Sequence, residues 1–438
     1  MTWLRLAWAM VGFVSVSTTW CQEPGGAAWG PQTGSVDWSL KDDGLVWRTP
    51  LLDLRLNPWF TLRHLSGTAP QGSGASSTEN ALWDNLRGAH FDATLDGLWQ
   101  IHGSLEEMQG VPGAWDAAAM PSHTALPGWG RAKPLDNGRV DVARSRVTAK
   151  YIRPLSLRDS LTVTSAYAPA GWGAFPSSLT LSQDAASYPH VSVGVTRSQS
   201  WRINLTAARW TSDERGPDGG STESLFRPSD AGWADFTWMS SRNFTVGALA
   251  GTVRERSWTQ EQLADSSDRF TWTPWFSLTS SWRLPIDGVS ISGEWASHQG
   301  WGVGAIWHKP QRTRLTWTTM RLQDNPEATL WTHAATPVSS VLRAAGVSGD
   351  VWRTEFRGQW QRNRFMATSR AAVVGEFAVW EASVGWLLQG TWPLYASLGV
   401  ELWDGGAGAL LPEQGRRIRL GVLHQMGMTP GSTTFAAP

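Results

Sequence analysis

Alternation of apolar and polar side chains is the dominant pattern in the second half of the chain. In the stretch from Trp352 to Trp360 (WRTEFRGQW), even positions carry Trp, Thr, Phe, Gly and Trp, and odd positions carry Arg, Glu, Arg and Gln. Successive side chains of a strand point to opposite faces, so this stretch predicts a strand with one aromatic and one charged face. Similar alternation begins at Ala93, Phe270 and Arg417. Because the second half carries no apolar stripe of helical period, no long helix is predicted there.

The lengths of the connections decide which environment the aromatic faces meet. An aromatic face is buried in the core of a soluble sheet, but it faces lipid in an outer-membrane barrel. Short turns alternate here with long polar segments, such as the one after Trp210, which is typical of barrels with short periplasmic turns and long external loops. The pattern predicts an all-β transmembrane antiparallel barrel of about 14–16 strands, with a secreted β-sandwich or propeller as the alternative. The lower count treats residues near 288 and 301 as one bulged strand.

The N-terminal region is predicted to lie outside the barrel wall. Residues 1–21 have the features of a secretory signal peptide, with a basic residue followed by a short apolar run. Cys21 is the sole cysteine, so no intramolecular disulfide is predicted; it is removed with the signal peptide, left as a free thiol or attached to lipid. Residues 22–91 alternate poorly, and Pro58 argues against a central strand there. They are predicted to form an N-terminal plug or periplasmic segment, and residues 92–430 the barrel.

Composition narrows the range of partners and the location. The formal net charge is zero, so nothing indicates a nucleic-acid partner. The 31 tryptophans fit aromatic girdles at the two membrane interfaces. After the signal peptide, no apolar run has the length of a membrane helix. These features predict the bacterial cell outer membrane as the location and its lipid as a partner.

The sequence shows no catalytic pattern. Its nine histidines are scattered, and it contains neither a Gly-x-Ser-x-Gly elbow nor a His-Glu-x-x-His motif. His102, His298 and His424 each fall singly on a predicted strand, where a polar barrel residue is expected. We therefore predict a protein that is not an enzyme and that needs no cofactor or metal. An outer-membrane lipase or protease is the rival interpretation.

The charged faces are predicted to line the barrel interior. A charge on the lipid face costs roughly 2–4 kcal/mol at mid-bilayer, whereas charges in a wide lumen tune solute selectivity. For any one such residue, a paired and solvated interior charge without a substrate is the simpler interpretation. The lumen-facing candidates are Arg353, Glu355, Arg357, Arg370, Arg417, Arg419, Glu294, Glu381 and Glu401.

Three segments resemble the long-chain fatty-acid transporter (FadL-type) family of outer membranes. The segment from Glu79 resembles the end of the family's N-terminal plug, although the proline of its Asn-Pro-Ala-Leu motif is missing. The segments from Lys150 and Ser187 resemble the family's second hairpin and the hairpin that follows it. The matching residues are Asn80, Ala81 and Leu82, then Tyr167, Ala168, Pro169 and Gly171, then Pro189, Val191 and Gly194.

This resemblance implies a passive transporter for hydrophobic small molecules such as long-chain fatty acids, with a lateral opening in the third strand. Counted from Ala93, that strand is residues 160–168, and the proline and glycine after it would weaken pairing; alternatively, both simply begin an external loop. The gate and plug candidates are Asn80, Ala81, Leu82, Trp83, Tyr167, Pro169 and Gly171, and the candidates for an apolar ligand lining are Trp275, Leu387 and Leu423. The alternative functions are a general porin for small polar solutes and a surface-exposed adhesin or structural barrel.

Overall fold

The computed structural model describes residues 45–49, 51–67, 82–113, 125–126, 129–135, 139–173, 175, 178–181, 185–198, 200–215, 226–241, 243–256, 270–297, 300–309, 313–322, 351–362, 364–389, 394–404 and 414–425. All regular elements in these ranges are strands. None of the described residues belongs to a helix long and apolar enough to cross a membrane.

The strands follow one another along the chain in a single large sheet, apart from one short strand pair. They are β1 (Leu45–Arg48), β2 (Leu52–Gly67), β3 (Leu82–Leu95), β4 (Trp99–Gly110), β5 (Ala125–Leu126), β6 (Gly130–Pro134), β7 (Val140–Pro154), β8 (Ser160–Ala168), β9 (Tyr188–Arg197), β10 (Trp201–Arg215), β11 (Phe226–Ser241), β12 (Phe244–Arg256), β13 (Phe270–Arg283), β14 (Val289–Ala296), β15 (Gly300–Lys309), β16 (Thr313–Leu322), β17 (Val351–Arg362), β18 (Phe365–Val374), β19 (Phe377–Gln389), β20 (Leu394–Asp404) and β21 (Gln414–Gln425). Eighteen of them, β2 to β4 and β7 to β21, form a closed antiparallel barrel. The all-β barrel prediction is confirmed.

The barrel closes where β2 pairs with β21, from Trp59 opposite Gln425 to Gly67 opposite Arg417. On the same edge of β2, β1 pairs with residues 53–56. Pro58 lies between these two ladders, where neither β1 nor β21 has a paired residue. A proline without an N–H is therefore tolerated in a wall strand, and the expectation that Pro58 excludes such a strand is wrong.

The wall begins at β2 rather than at residue 92. Residues 52–67 and 82–91, which were predicted to belong to the plug, pair with each other and form part of the wall. The stretch from Ala93, predicted as one strand, contains a tight turn in which Asp96 and Gly97 have positive φ values of 52° and 64°. Asp-Gly with φ above zero at both residues is a typical two-residue hairpin turn. These two differences raise the strand number to 18, and β14 and β15 are separate strands.

The outer surface of the barrel carries the aromatic faces. In β17 the side chains of Trp352, Phe356 and Trp360 are 51%, 40% and 42% exposed, whereas Arg353 and Glu355 are buried on the opposite face. Most exposed tryptophans of the wall form one row at the end with the short turns and another at the end where most connections are long, and Trp317 lies between the rows. The first row contains Trp99, Trp238, Trp282, Trp307, Trp360 and Trp386, and the second contains Trp83, Trp295, Trp301, Trp352 and Trp380.

The interior is packed at one end and open at the other. Towards the long connections, inward side chains such as Met320 and Val374 are fully buried. Towards the short turns, which include residues 155–159 and 284–288, inward side chains such as Arg202 and Arg314 are exposed. We call these two ends the long-loop end and the short-turn end. The candidate site lies at the boundary between the packed and the open halves.

Candidate functional site in the barrel interior

Residues 111–113 follow β4 and fold into the lumen. The backbone N–H of Val111 donates a hydrogen bond to Asp84 on β3, at 2.7 Å. Arg417 on β21 donates to the carbonyl oxygen of Pro112 at 2.9 Å. Arg419 donates to the carboxylate of Asp84 at 2.9 Å. Side chains from the first and last parts of the wall therefore hold this segment together.

The same contacts form a buried ionic network at the closure of the barrel. Glu401 on β20 lies 2.7 Å from Arg419 and 3.6 Å from Arg417, and all three side chains are at most 3% exposed. Arg63 on β2 approaches Asp84 at 3.7 Å. Buried charges persist only when they are paired, so the network requires β2, β3, β20 and β21 to be assembled in register. We call Arg63, Asp84, Glu401, Arg417 and Arg419 the seam network.

A second charged cluster lies on β17 and β18. Glu355 accepts hydrogen bonds from Arg353 and Arg357, and from Nε of Arg370 at 2.8 Å. Arg353 and Glu355 are buried, but Arg357 is 30% and Arg370 13% exposed. In the sheet register Arg370 lies opposite Glu381. This arginine cluster, residues 353, 355, 357 and 370, therefore combines three cations with one central carboxylate.

A second inward segment follows β8, and its described residues are 169–173, 175 and 178–181. It is anchored on Glu294 of β14, whose Oε1 accepts hydrogen bonds from Ser178 Oγ at 2.5 Å, the Leu179 N–H at 2.9 Å and Thr180 Oγ1 at 3.4 Å. Near its start, the N–H of Ala170 donates to the Tyr188 hydroxyl at 3.0 Å. Since six successive strand pairings separate β8 from β14, residues 178–180 lie across part of the lumen from the strand that they follow.

The second inward segment packs against a cluster of aromatic side chains. Leu181 and Trp172 pack against an aromatic cluster of Trp210, Trp233 and Trp275. The ring centroids of Trp210 and Trp233 are 6.2 Å apart, and those of Trp233 and Trp275 are 6.1 Å apart. These spacings fall in the range for favourable aromatic pairs. The aromatic cluster therefore holds the second segment mainly by apolar burial.

Close approach of this segment to the wall also depends on a glycine. Phe175 packs with Leu179 and Met320. A Cβ at Gly304 on β15 would lie 2.7 Å from the Phe175 ring and 2.6 Å from the Trp317 carbonyl oxygen. Only glycine leaves enough room for the ring at that position.

The nine lumen-facing candidates all lie on the face opposite the exposed aromatic side chains. Arg353, Glu355, Arg357 and Arg370 meet in the arginine cluster, and Glu401, Arg417 and Arg419 meet in the seam network. Glu381 lies in register between Arg370 and Glu401. Glu294 lies apart from the others, beneath residues 178–180.

Sequence reasoning missed several interior residues. Asp84 and Arg63 lie in the region for which the sequence predicts a plug, where the alternation of a wall strand is weak. Glu106 and Arg144, an ion pair between β4 and β7, were also missed. Glu106 and Arg144 each follow an outward side chain, Leu105 and Ala143, so strand alternation places both on the inner face. Their pairing becomes visible once β4 and β7 are recognised as neighbours. No sequence signal marked Ser178 as the contact of Glu294.

The described gate candidates are divided between the outer wall and the start of the second inward segment. Asn80, Ala81 and the side chain of Leu82 lie outside the described residues. Trp83 is 53% exposed on the outer surface and contacts the His64 ring edge-on at 5.1 Å. Tyr167 is 46% exposed on the outer surface too. Trp83 therefore belongs to the wall and not to a plug.

The strand proposed to open laterally is continuous where it is described. β8 is the fifth strand of the wall rather than the third, because β2 and β3 precede β4. It pairs with β7 from residue 160 to 167 and with β9 from residue 160 to 168. Pro169 and Gly171 follow its last paired residue and begin the inward segment. The expected break in β8 is not found among these residues.

The predicted apolar lining is dispersed. Trp275 is 2% exposed within the aromatic cluster, so it packs against the second segment instead of facing an open lumen. Leu387 packs near Met366 and Tyr395 on the inner face towards the short-turn end. The side chain of Leu423 lies outside the described residues.

Comparison with known proteins yields structural likeness only. No protein-family model matches the sequence, and no curated protein is similar to it. Among solved structures, Wzi of Escherichia coli, described as a carbohydrate-binding β-barrel involved in group 1 capsule assembly, shares 12% identity over 84% of both chains, with a TM-score of 0.43. OpdQ of Pseudomonas aeruginosa shares 11% identity over 86% of this chain and 97% of its own, with a TM-score of 0.43. OmpF of Salmonella typhi, in complex with daunomycin, shares 10% identity over 85% and 97%, with a TM-score of 0.40. Likeness at this level identifies no function for this chain.

The chain is an outer-membrane β-barrel. Its wall is closed, its strand number of 18 is even, and an apolar band between two rows of tryptophans covers its outer surface. An even strand number and an apolar band between aromatic girdles are characteristic of bacterial outer-membrane barrels. The predicted location in the bacterial outer membrane is confirmed.

Proposed function

We propose that the chain is a passive outer-membrane channel that favours small anionic solutes. The observation that carries this proposal is the arginine cluster, in which Arg353, Arg357 and Arg370 surround the carboxylate of Glu355. Even with Glu381, which lies opposite Arg370 in the register, these side chains carry more positive than negative charge. Arg357, 30% exposed, lies where the open half of the lumen meets the packed half. Positive charge on a low-dielectric wall raises the local concentration of anions, and luminal charge tunes the selectivity of barrels.

The open half of the lumen suits a polar solute. Its inner face carries hydroxyl pairs between neighbouring strands, such as Thr368 with Ser383 at 2.6 Å and Ser281 with Ser292 at 3.1 Å. Hydroxyls donate and accept hydrogen bonds, so they can replace part of the water around a passing ion. The inward segments at residues 111–113 and 169–181 would then set the size limit.

Uptake of hydrophobic molecules such as long-chain fatty acids is the second candidate. The resemblance of three segments to fatty-acid transporters and the aromatic cluster of Trp210, Trp233 and Trp275 favour it. It has less support because those rings are packed against residues 169–181, and because β8 is paired along both edges. A fatty acid is itself an anion, so the arginine cluster is compatible with both candidates.

Reversal potentials in planar bilayers under a potassium chloride gradient test the proposal. The wild type should be anion-selective. The double variant Arg357→Gln/Arg370→Gln should lose that preference, because it removes the two most exposed cations of the cluster. Arg209→Gln is the matched control. Arg209 is exposed towards the long-loop end of β10, where it pairs with Asp230, so its replacement should leave selectivity unchanged. Cation selectivity of the wild type would contradict the proposal.

A parallel uptake assay separates the alternatives. Cells or vesicles carrying the wild type are offered a small organic anion, a small organic cation and a labelled long-chain fatty acid. Preference for the small anion supports the proposed channel. Fatty-acid uptake without ion conductance supports the second candidate. Passage of none of the three would indicate a structural or adhesive barrel.

A further inference from the structure

The turn between β7 and β8 exposes leucine at the short-turn end. Leu157 is 100% exposed and Leu155 is 57% exposed. Both follow Tyr151 on β7, whose ring lies 5.0 Å from the ring of Trp99 in the tryptophan row at that end. Such aromatic rows mark the level of the lipid headgroups. The two leucines therefore lie beyond the apolar band of the outer wall.

Hydrogen bonds order this turn. The N–H groups of Leu155 and Ser156 donate to the carbonyl oxygen of Asp159 at 2.9 and 3.2 Å. The Ser156 hydroxyl accepts hydrogen bonds from the N–H groups of Arg158 and Asp159, at 3.2 and 3.1 Å. A carboxylate oxygen of Asp159 accepts the N–H of Ser198 at 2.8 Å, which ties the turn to the neighbouring β9–β10 turn. Leu157 is thus held in position by a preorganised turn.

Arginines surround the exposed leucines. Arg153, Arg158 and Arg197 are all exposed. Asp159 is the only acidic residue in the two sequence stretches 153–160 and 196–200, so the patch has two more positive than negative charges. Arg153 is in register with Leu161, which is in register with Val195, so Arg153 is roughly 10 Å from β9 across two strand spacings. The patch is compact enough to contact one surface.

We propose that this patch, residues 153–159 with Arg197, docks on anionic phospholipid headgroups of the leaflet at the short-turn end. Arginine forms forked hydrogen bonds with phosphate, and basic residues near a bilayer are attracted to anionic lipid. The exposed leucines reach the boundary between headgroups and acyl chains, as apolar side chains of surface-bound amphipathic segments do. This contact orients the barrel in the membrane and is independent of solute passage.

A fluorescent label at position 157 tests the docking. Leu157→Cys is made in a Cys21→Ser background, labelled with an environment-sensitive fluorophore and reconstituted into vesicles of phosphatidylcholine with or without phosphatidylglycerol. We expect the emission maximum to shift to shorter wavelength when phosphatidylglycerol is present. Quenching by lipid with a nitroxide near the headgroup should increase in parallel. High salt should reverse both changes, because it screens exposed charges.

The β13–β14 turn supplies a matched control. Ile286 is 61% exposed there, and the nearest charged residues along the sequence, Arg283 and Asp287, cancel. The same label at Ile286→Cys should respond equally to both lipid mixtures. A shift at position 286 as large as that at position 157 would show a general lipid effect and overturn the proposal.

Removal of the arginines provides the second arm. Arg153→Gln/Arg158→Gln/Arg197→Gln should abolish the shift at position 157, while ion conductance and resistance of the folded barrel to detergent denaturation stay at wild-type levels. An unchanged shift in this variant overturns the proposal. The proposal is also overturned if the label at position 157, with all three arginines present, has the same emission maximum in the two lipid mixtures. Failure of the anion-selectivity experiment would leave this result unaffected, since the two assays use different residues.

Discussion

The two inward segments are held by different chemistry on the two sides of the lumen. On the closure side, residues 111–113 are bound by the seam network, in which five charged side chains converge with hardly any exposure. On the other side, the described residues of 169–181 pack against the aromatic cluster and donate hydrogen bonds to the carboxylate of Glu294. Both arrangements fill the lumen towards the long-loop end, but they should differ in the amino-acid substitutions that they tolerate.

This difference follows from the physics of burial. Burying an ion pair costs desolvation free energy, and Coulombic attraction offsets that cost only if the geometry and the hydrogen-bond partners are complete. Loss of one partner leaves an uncompensated buried charge. Apolar packing is less directional, so swaps that preserve volume usually cost little. The seam network should therefore respond strongly to an isosteric change that removes charge, whereas the aromatic cluster should respond weakly to a change of similar size.

The largest effect is expected for Asp84→Asn. The substitution keeps the shape of the side chain but leaves Arg419 and Arg63 without their shared carboxylate, so the free energy of unfolding should fall by about 3–5 kcal/mol. Urea unfolding in lipid vesicles, followed by gel mobility, measures this change. Asp230→Asn, which alters the exposed pair with Arg209, is the control and should cost about 0–1 kcal/mol. An equal loss of unfolding free energy in the two variants would show that the buried seam network is no more sensitive than an exposed ion pair.

An intermediate effect is expected for Glu294→Ala. This variant removes the acceptor of three hydrogen bonds from residues 178–180, and hydrogen bonds to a charged group contribute about 1.5–3 kcal/mol each. Because aromatic packing still holds Trp172 and Leu181, we expect the barrel to stay folded while the second segment loosens. Single-channel conductance should rise above that of the wild type. Thr319→Ala, which alters the hydroxyl pair with Thr354 on the outer face, should leave conductance unchanged.

A smaller effect is expected for Trp233→Phe. The phenyl ring keeps part of the apolar contact with Trp210 and Trp275 and leaves only a small cavity, so the free energy of unfolding should fall by about 1–2 kcal/mol. The same urea assay applies, with Trp233→Ala as the reference at about 3–5 kcal/mol. If the phenylalanine variant were as unstable as Asp84→Asn, the aromatic cluster would tolerate substitution no better than the seam network.

The smallest effect is expected for an exposed carboxylate that belongs to neither side. Hydrogen bonds from the N–H of Ser198 and from Ser156 lower the pKa of Asp159 below its ordinary value of 3.8. A group whose pKa is lower in the folded protein stabilises it above the unfolded pKa, and that contribution is lost as pH falls through the folded pKa. Wild type should therefore lose slightly more stability between neutral pH and pH near 3 than Asp159→Asn does. Identical losses in parallel urea titrations would show that the turn gains nothing from this charge.

Alternation by itself predicted the class of fold and the two faces of many strands. Trp352, Phe356 and Trp360 could be assigned to one face, and Arg353, Glu355 and Arg357 to the other, because the period of a strand is a local property of the backbone. The closed barrel and its location followed from the number of such strands and from the turn lengths. The tight turn at Asp96-Gly97 was also readable as a hairpin signal, although the alternation across it suggested one strand.

Tertiary structure alone decided which interior residues meet. Asp84 and Arg419 are 335 positions apart in sequence, and they become neighbours only because closure places β21 beside β2 and β2 beside β3. Glu294 and Ser178 are separated by 116 positions and meet because residues 169–181 turn inward, a direction that no residue pattern encodes. Alternation specifies the face on which a side chain lies. The register, the closure and the course of the connecting segments depend on contacts between distant parts of the chain, and these appear only when the whole barrel is assembled.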